Sequence, residues 1–208
     1  MTATLNRRLA CLLLAITPFL GSQALAADAA PAAKPAVDLE NTIYLDVPAG
    51  RVVIKLRPDL APKHVARIKE LSRKGFYDGL KFHRVIPGFM AQTGDPLGNG
   101  SGGSGKTLEA EFSYEHHGRG IASMARTSDP NSADSQFFIM LDEGGFLDGQ
   151  YTVWGQVTSG MEFIDAVKKG TKANNGEVSD PTKIIRMQVA ADVEKAAKAA
   201  SETGTGKK

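Results

Sequence analysis

The run Phe82-His83-Arg84-Val85-Ile86-Pro87-Gly88-Phe89-Met90-Ala91-Gln92-Thr93-Gly94-Asp95 is the densest stretch able to do chemistry. It sets a guanidinium, an imidazole and an amide among apolar side chains. A guanidinium stays charged and presents its donors in a rigid fork, which suits stabilising charge at a fixed point. On spacing alone, Arg84 could equally be an ion-paired residue on a surface strand. Other chemistries lack their parts. There is no G-x-S-x-G elbow, and the one cysteine, Cys11, cannot build a thiolate metal site. Gly100-Ser-Gly-Gly-Ser-Gly-Lys106-Thr107 fits the phosphate-loop pattern, but the turn-rich Gly94–Asn99 precedes it where a strand is needed. His116-His117 has no third ligand at regular spacing and reads as an exposed loop, so neither metal nor nucleotide is expected.

The same run closely resembles the cyclophilin signature. So do Ser135-Gln136-Phe137-Phe138-Ile139 and Phe146-Leu147-Asp148-Gly149, in that family's order and spacing over about residues 40–190. The resemblance implies an eight-stranded antiparallel barrel with two capping helices, and catalysed cis–trans isomerisation of the bond before proline. That amide barrier is ~18–20 kcal/mol, and uncatalysed rotation takes tens to hundreds of seconds. No bond breaks, so no cofactor is expected. The site needs an apolar slot, a grip on the flanking backbone, and a donor that favours the twisted state.

By resemblance, the expected catalytic residues are Arg84, Phe89 and Gln92. Arg84 would donate to the proline nitrogen, and Gln92 would hold the substrate backbone. His83, Met90, Ala125, Arg126, Gln136, Phe138, Phe146, Leu147 and Tyr151 are the expected substrate-binding residues. Ala125 and Arg126 would act mainly through main-chain groups, while His83 could as well be structural. Strict strand alternation puts Phe89 and Met90 on opposite faces, so a shared pocket needs the bend at Pro87-Gly88. Phe146 stands where many eukaryotic members have Trp, and Tyr151 where many have His. The pocket stays apolar but loses an indole N–H, so only weak cyclosporin binding is expected. The partners are proline-containing polypeptides. A different class of function, a peptide-binding module or holdase using the same groove, would not need Arg84.

Short strands must position these residues. Thr42–Val47 and Arg51–Leu56 flank a hairpin loop at Pro48-Ala49-Gly50. Further strands are predicted over about 81–86, 89–94, 119–125, 136–141, 153–157 and 183–190. A first helix follows Pro58-Asp59, has Pro62 in its first turn and Val65, Ile68 and Leu71 on one face, and ends at Gly75. A second is predicted over Met161–Lys169. Many short strands with two isolated helices suggest a mainly β fold, a closed antiparallel barrel capped by helices.

The chain of 208 residues carries 25 basic and 23 acidic side chains. That balance gives no reason to expect nucleic acid as a partner. Arg7-Arg8, the apolar run Leu9–Leu20 and the small-x-small end Ala24-Leu25-Ala26 read as a signal peptide over 1–26. The run is too short to span a bilayer, so no membrane insertion is expected after cleavage. An Ala/Pro-rich linker is predicted over 27–38, one isomerase domain over 39–190, and a tail over 191–208 that starts helical and frays. A monomer exported to a periplasm is expected, with secretion from a eukaryotic cell also open. Sequencing the exported protein from its N-terminus should begin at Ala27; recovery with Met1 attached would overturn this.

Overall fold

The protein, seen in a computed structural model, is described over residues 38–204. The expected leader, and the linker up to residue 37, lie outside the described residues. Eight strands form one antiparallel sheet: β1 (Thr42–Val47), β2 (Gly50–Leu56), β3 (Arg84–Ile86), β4 (Met90–Thr93), β5 (Ile121–Met124), β6 (Phe137–Met140), β7 (Val153–Ser159) and β8 (Arg186–Val189). Their order across the sheet is β3-β4-β6-β5-β7-β2-β1-β8.

The sheet curls but does not close. The expected closed barrel is corrected to an open half-barrel, because β3 and β8 share no ladder. The segment after α2 fills the seam with single bonds instead. Val85 N donates to Gly176 O, Val178 N to His83 O, and Phe82 N to Thr182 O. This segment cannot ladder continuously. Pro181 lacks an N–H, and Asn175 and Gly176 both sit at positive φ.

Three α-helices accompany the sheet: α1 (Pro62–Arg73), α2 (Met161–Asp165) and α3 (Ala190–Gly204). In α1, Pro62 occupies the first turn and Ala61 offers no side-chain cap. The Glu111 carboxylate, far along the chain, accepts from Lys63 N at 3.1 Å and His64 N at 3.0 Å. It places negative charge on the helix N-terminus, where the dipole favours it. α2 stops well short of the predicted Lys169. Tertiary acceptors take the donors a longer helix would use: Lys168 N bonds Thr182 Oγ1, and Gly170 N bonds Val85 O. α3 runs through most of the predicted tail, tied back by Arg73–Asp192 at 2.8 Å.

Strand alternation sorts side chains into two apolar clusters. Ala91, Ala122, Met124, Phe137, Ile139 and Trp154 point into the half-barrel and pack with Ile54, Ile68, Tyr77 and Phe82. Met90, Ile121, Phe138, Met140, Leu147 and Val153 form a second cluster, joined by Phe89, Ala125 and Tyr151 at its margin.

Three histidines are buried: His64, His83 and His117. Burial pushes each imidazole below its ordinary value, in His64 and His117 despite carboxylate partners. Each therefore binds a proton less readily folded than unfolded. Their contribution is present above the unfolded value of 6.5 and is lost as pH falls through and below it. His116 runs the other way, raised by Asp148 and Glu143, but it is one group against three. Acidification from pH 7 to 5 should lower Tm by at least roughly 3 °C, about 1 kcal/mol for a domain of this size. His64→Gln should flatten the dependence. A Tm that rises on acidification would refute this account.

Candidate active site

Antiparallel register carries one row of outward residues across four strands. Arg84 on β3 pairs with Gln92 on β4, Gln92 with Phe138 on β6, and Phe138 with Ser123 on β5. Beside this row lies a cleft of about 220 Å³. Arg84, Phe89, Met90, Gln92, Ala125, Arg126, Phe138, Phe146, Leu147 and Tyr151 line it. Ten of the twelve residues singled out in the sequence thus meet around one cavity. Phe89 and Met90 share it because β4 begins at Met90, and Phe89 belongs to the preceding turn, where its N–H bonds Ile86 O at 3.1 Å.

The other two lie apart. Gln136 lines a neighbouring cleft of about 430 Å³, which shares Gln92, Ala125 and Arg126 with the first. His83 is buried and lines neither cleft. Its Nε2 lies 3.9 Å from where a Cβ on Gly100 would sit.

Arg84 is held from two sides. Its Nε donates to Asn175 O at 3.0 Å and its Nη2 to Asn175 Oδ1 at 2.8 Å. Its Nη1 donates to Gln92 Oε1 at 3.1 Å. Partial burial pushes the guanidinium below its ordinary value, with Tyr151 acting weakly against this. It remains a cation at neutral pH.

Because arginine only donates, Gln92 must turn its oxygen towards Arg84 and its NH₂ away. That NH₂ donates to Gln136 Oε1 at 2.9 Å, and Gln136 Nε2 donates to Gly102 O at 2.8 Å. The polar relay ends in the glycine-rich loop. There Leu97, Asn99 and Gly100 turn their N–H groups onto the buried Asp95 carboxylate. Burial alone would raise the Asp95 carboxyl, but these donors hold it below the usual range. The turn before the phosphate-loop pattern, with the pattern's first glycine, thus wraps the protein's own anion. Glycine is required at 102, where a Cβ would lie 2.2 Å from Asp95 Oδ1.

The Arg126 side chain is engaged within the protein, apart from the main-chain role expected of this position. Its side chain donates to Gln150 O from Nε at 3.1 Å and Nη2 at 3.0 Å, and its guanidinium lies 4.6 Å from the Tyr151 ring centre. It ties one rim of the cleft to the other. The Ala125 N–H is already donated to Gln136 O at 2.9 Å.

The histidine pair splits, correcting the exposed-loop expectation for His117. His116 is exposed and bridges Glu143 at 2.6 Å and Asp148 at 3.0 Å. His117 is buried beneath the cleft, near-parallel to Phe138 with ring centres 6.4 Å apart. Its Nδ1 meets Asp148 Oδ1 at 2.9 Å and its Nε2 meets Ser123 Oγ at 2.8 Å. As a neutral ring it donates from Nδ1 and accepts the Ser123 hydroxyl. The order Asp-His-Ser is that of a hydrolytic triad, but both His117 and Ser123 are fully buried and meet no substrate. Their contacts support Phe138 and the segment bearing Leu147. Bonds from His116 and from the His117 N–H hold Asp148 down to about 2.

Comparison with known proteins gives the family. Residues 42–189 match the family described as cyclophilin type peptidyl-prolyl cis-trans isomerase/CLD. A probable peptidyl-prolyl cis-trans isomerase of Brucella suis is 56% identical over 169 residues, covering 76% of this chain and 86% of the relative. A Dictyostelium discoideum peptidyl-prolyl cis-trans isomerase is 42% identical, covering 71% and 96%. Among solved structures, a cyclophilin from Hirschia baltica superposes with TM-score 0.68 at 29% identity, covering 75% of this chain and 76% of that one. A Cryptosporidium parvum cyclophilin, solved in the presence of the dipeptide Ala-Pro, gives 0.65 at 29% identity, covering 71% and 98%. The chain belongs to the cyclophilin-type peptidyl-prolyl cis-trans isomerases.

Asn175 was missed in the sequence. Asn175-Gly176 signals a turn, and Asn175 does sit in the left-handed region at φ 56°. Nothing local tells that this turn crosses 91 positions to grip Arg84. Asn175→Gly keeps the backbone conformation and removes the Oδ1 acceptor. It should lower kcat roughly three- to tenfold, about the net worth of one ordinary hydrogen bond, since Asn175 O and Gln92 still hold Arg84, with KM little changed. Unaltered kcat would show that Gln92 alone suffices to hold Arg84.

Proposed function

We propose that this isomerase acts through Arg84 and that its clients are exported proteins. The observation that carries the reading is a guanidinium fixed by Asn175 and Gln92 at the edge of a small apolar cleft. The proline ring sits against Phe89, Met90, Phe138 and Leu147. As the C–N bond twists, conjugation is lost and nitrogen regains its lone pair. A donor aimed at that nitrogen bonds strongly only in the twisted state, so it lowers the barrier without tightening the ground state. Arg84 has donors to spare, since three of its five N–H groups serve Asn175 and Gln92. Gln92, already oriented by Arg84, turns its NH₂ to the substrate backbone in exchange for Gln136.

Export rests on the leader pattern at 1–26, which favours a periplasm, and on the absence of cysteine after Cys11. The protein works as a monomer without a cofactor. Cyclosporin would bind weakly, because Phe146 offers no N–H at the rim.

Arg84→Ala should cut kcat/KM on a short X-Pro peptide by roughly a hundred- to a thousandfold, about 2.7–4 kcal/mol for one preorganised donor. Peptide affinity should change much less. Arg84→Lys should recover part of the loss, as a point charge does not reproduce the fork. A protease-coupled assay beside peptide titration checks both. Parent-like turnover in Arg84→Ala would leave a binding module as the better reading.

A further inference from the structure

The extended segment 108–117 borders the cleft and belongs to none of the eight strands. From Glu111 to His117 it alternates between residues that anchor it and residues that face water. Glu111 caps α1, Ser113 O accepts from Gly149 N at 3.0 Å, and Glu115 pairs with Arg57 at 3.2 Å. Between them Phe112, Tyr114 and His116 point outward. Phe112 is 38% exposed and Tyr114 94% exposed. Two large rings are thus presented to solvent from a backbone pinned on its other side.

These rings continue the wall of the cleft. The Arg126 guanidinium lies 4.6 Å from the Tyr151 ring centre and 5.7 Å from that of Phe112. Tyr151 lines the cleft, so Phe112 is one cation removed from it. The Tyr114 ring lies against Gly149, at φ 72°, where a Cβ would come within 3.2 Å of it. In the same 146–151 segment, Phe146 is 66% exposed and packs on Phe89 with ring centres 5.5 Å apart. Exposed rings gathered at the margin of a cleft and edged by charge point to a contact surface.

We propose that Phe112 and Tyr114, with the face of Arg126, form a docking ledge for an aromatic residue of an extended, non-native polypeptide whose proline occupies the cleft. The occupant follows from continuity with the cleft, and the proposal rests on the substrate reading given above. The Tyr151 and Phe112 rings flank one guanidinium at 4.6 and 5.7 Å, and extended chain advances roughly 3.3 Å per residue, so about three residues span from Tyr151 to the ledge. Unfolded chains display aromatic side chains near their prolines that folded proteins bury. The ledge makes the site selective for such segments, and the grip it adds is common to ground and twisted states.

The test uses the full chain and two labelled ten-residue peptides containing one Ala-Pro. One carries Trp three residues from the proline, the other Ser there, with the substitution made on either side in separate series. Affinity is read by fluorescence anisotropy and turnover by the protease-coupled assay. In at least one series the parent should bind the Trp peptide roughly five- to tenfold more tightly. Tyr114→Ala should reduce that preference, and the Tyr114→Ala/Phe112→Ala pair should abolish it. Turnover of a short Ala-X-Pro-X peptide and Tm should stay as in the parent for Tyr114→Ala. Equal affinity for both peptides, or a preference that survives the double substitution, overturns the ledge. Dimers in sedimentation that vanish in Tyr114→Ala would assign the surface to a second copy and overturn it too. If Arg84→Ala retains turnover while the Trp preference still depends on Tyr114, the catalytic reading fails and the ledge stands.

Discussion

The site depends on how Arg84 is held. A long, charged side chain on a three-residue strand has many conformations, and ordering one costs up to about 2 kcal/mol of rotamer entropy. Here that cost is met in the folded apo protein, by Asn175 from one side and Gln92 from the other. Neither partner is a carboxylate. An ion pair would satisfy the guanidinium too well, and its charge would then be spent before substrate arrived. In the mechanism proposed for Arg84, amide oxygens fix its direction while leaving most of the positive charge for the twisting bond.

From this clamp the rest of the site follows outwards. The fixed direction of Gln92 dictates that of Gln136, and Gln136 leans on carbonyls of the glycine-rich loop. The loop keeps its shape by wrapping Asp95. Beneath the apolar half of the cleft, His117 supports Phe138 and, through Asp148, the turn bearing Leu147. Polar and apolar halves therefore have separate supports, one from β4 towards the loop and one from β5 and the segment before it.

Much of this was legible in the sequence, for physical reasons. All eight strands could be placed because the alternation of small runs such as Val52, Ile54 and Leu56 is local. α1 was readable from Pro62 to Gly75, both ends carrying stop or start chemistry. Most cleft residues came from the long signature around Arg84 and the blocks at 135–139 and 146–149, and Ala125, Arg126 and Tyr151 from the family resemblance outside them. What failed was non-local. α2 lost its last turn to acceptors on distant residues, and the barrel stayed open because of what 170–185 does at its seam. His83 and His117 look alike in sequence to exposed residues, and only tertiary packing buries them. The catalytic details remain the chemistry proposed for Arg84, which the clamp makes concrete.

The open seam has a further consequence, in the language of local opening. Amides in β1, β2 and β7 belong to long ladders and open only when much of the sheet opens. Those of Val85 and Val178 cross the seam by isolated bonds. The seam thus opens, and exchanges its amide protons with solvent, more readily than those ladders do. Asn175 lies within it, so each opening also releases the grip on Arg84. The free energy of that one sub-global opening sets the fraction of molecules that are folded yet have a slack arginine. A perturbation at Pro181, which lines neither cleft, is felt at the site as a change in that fraction and not in the shape of the pocket.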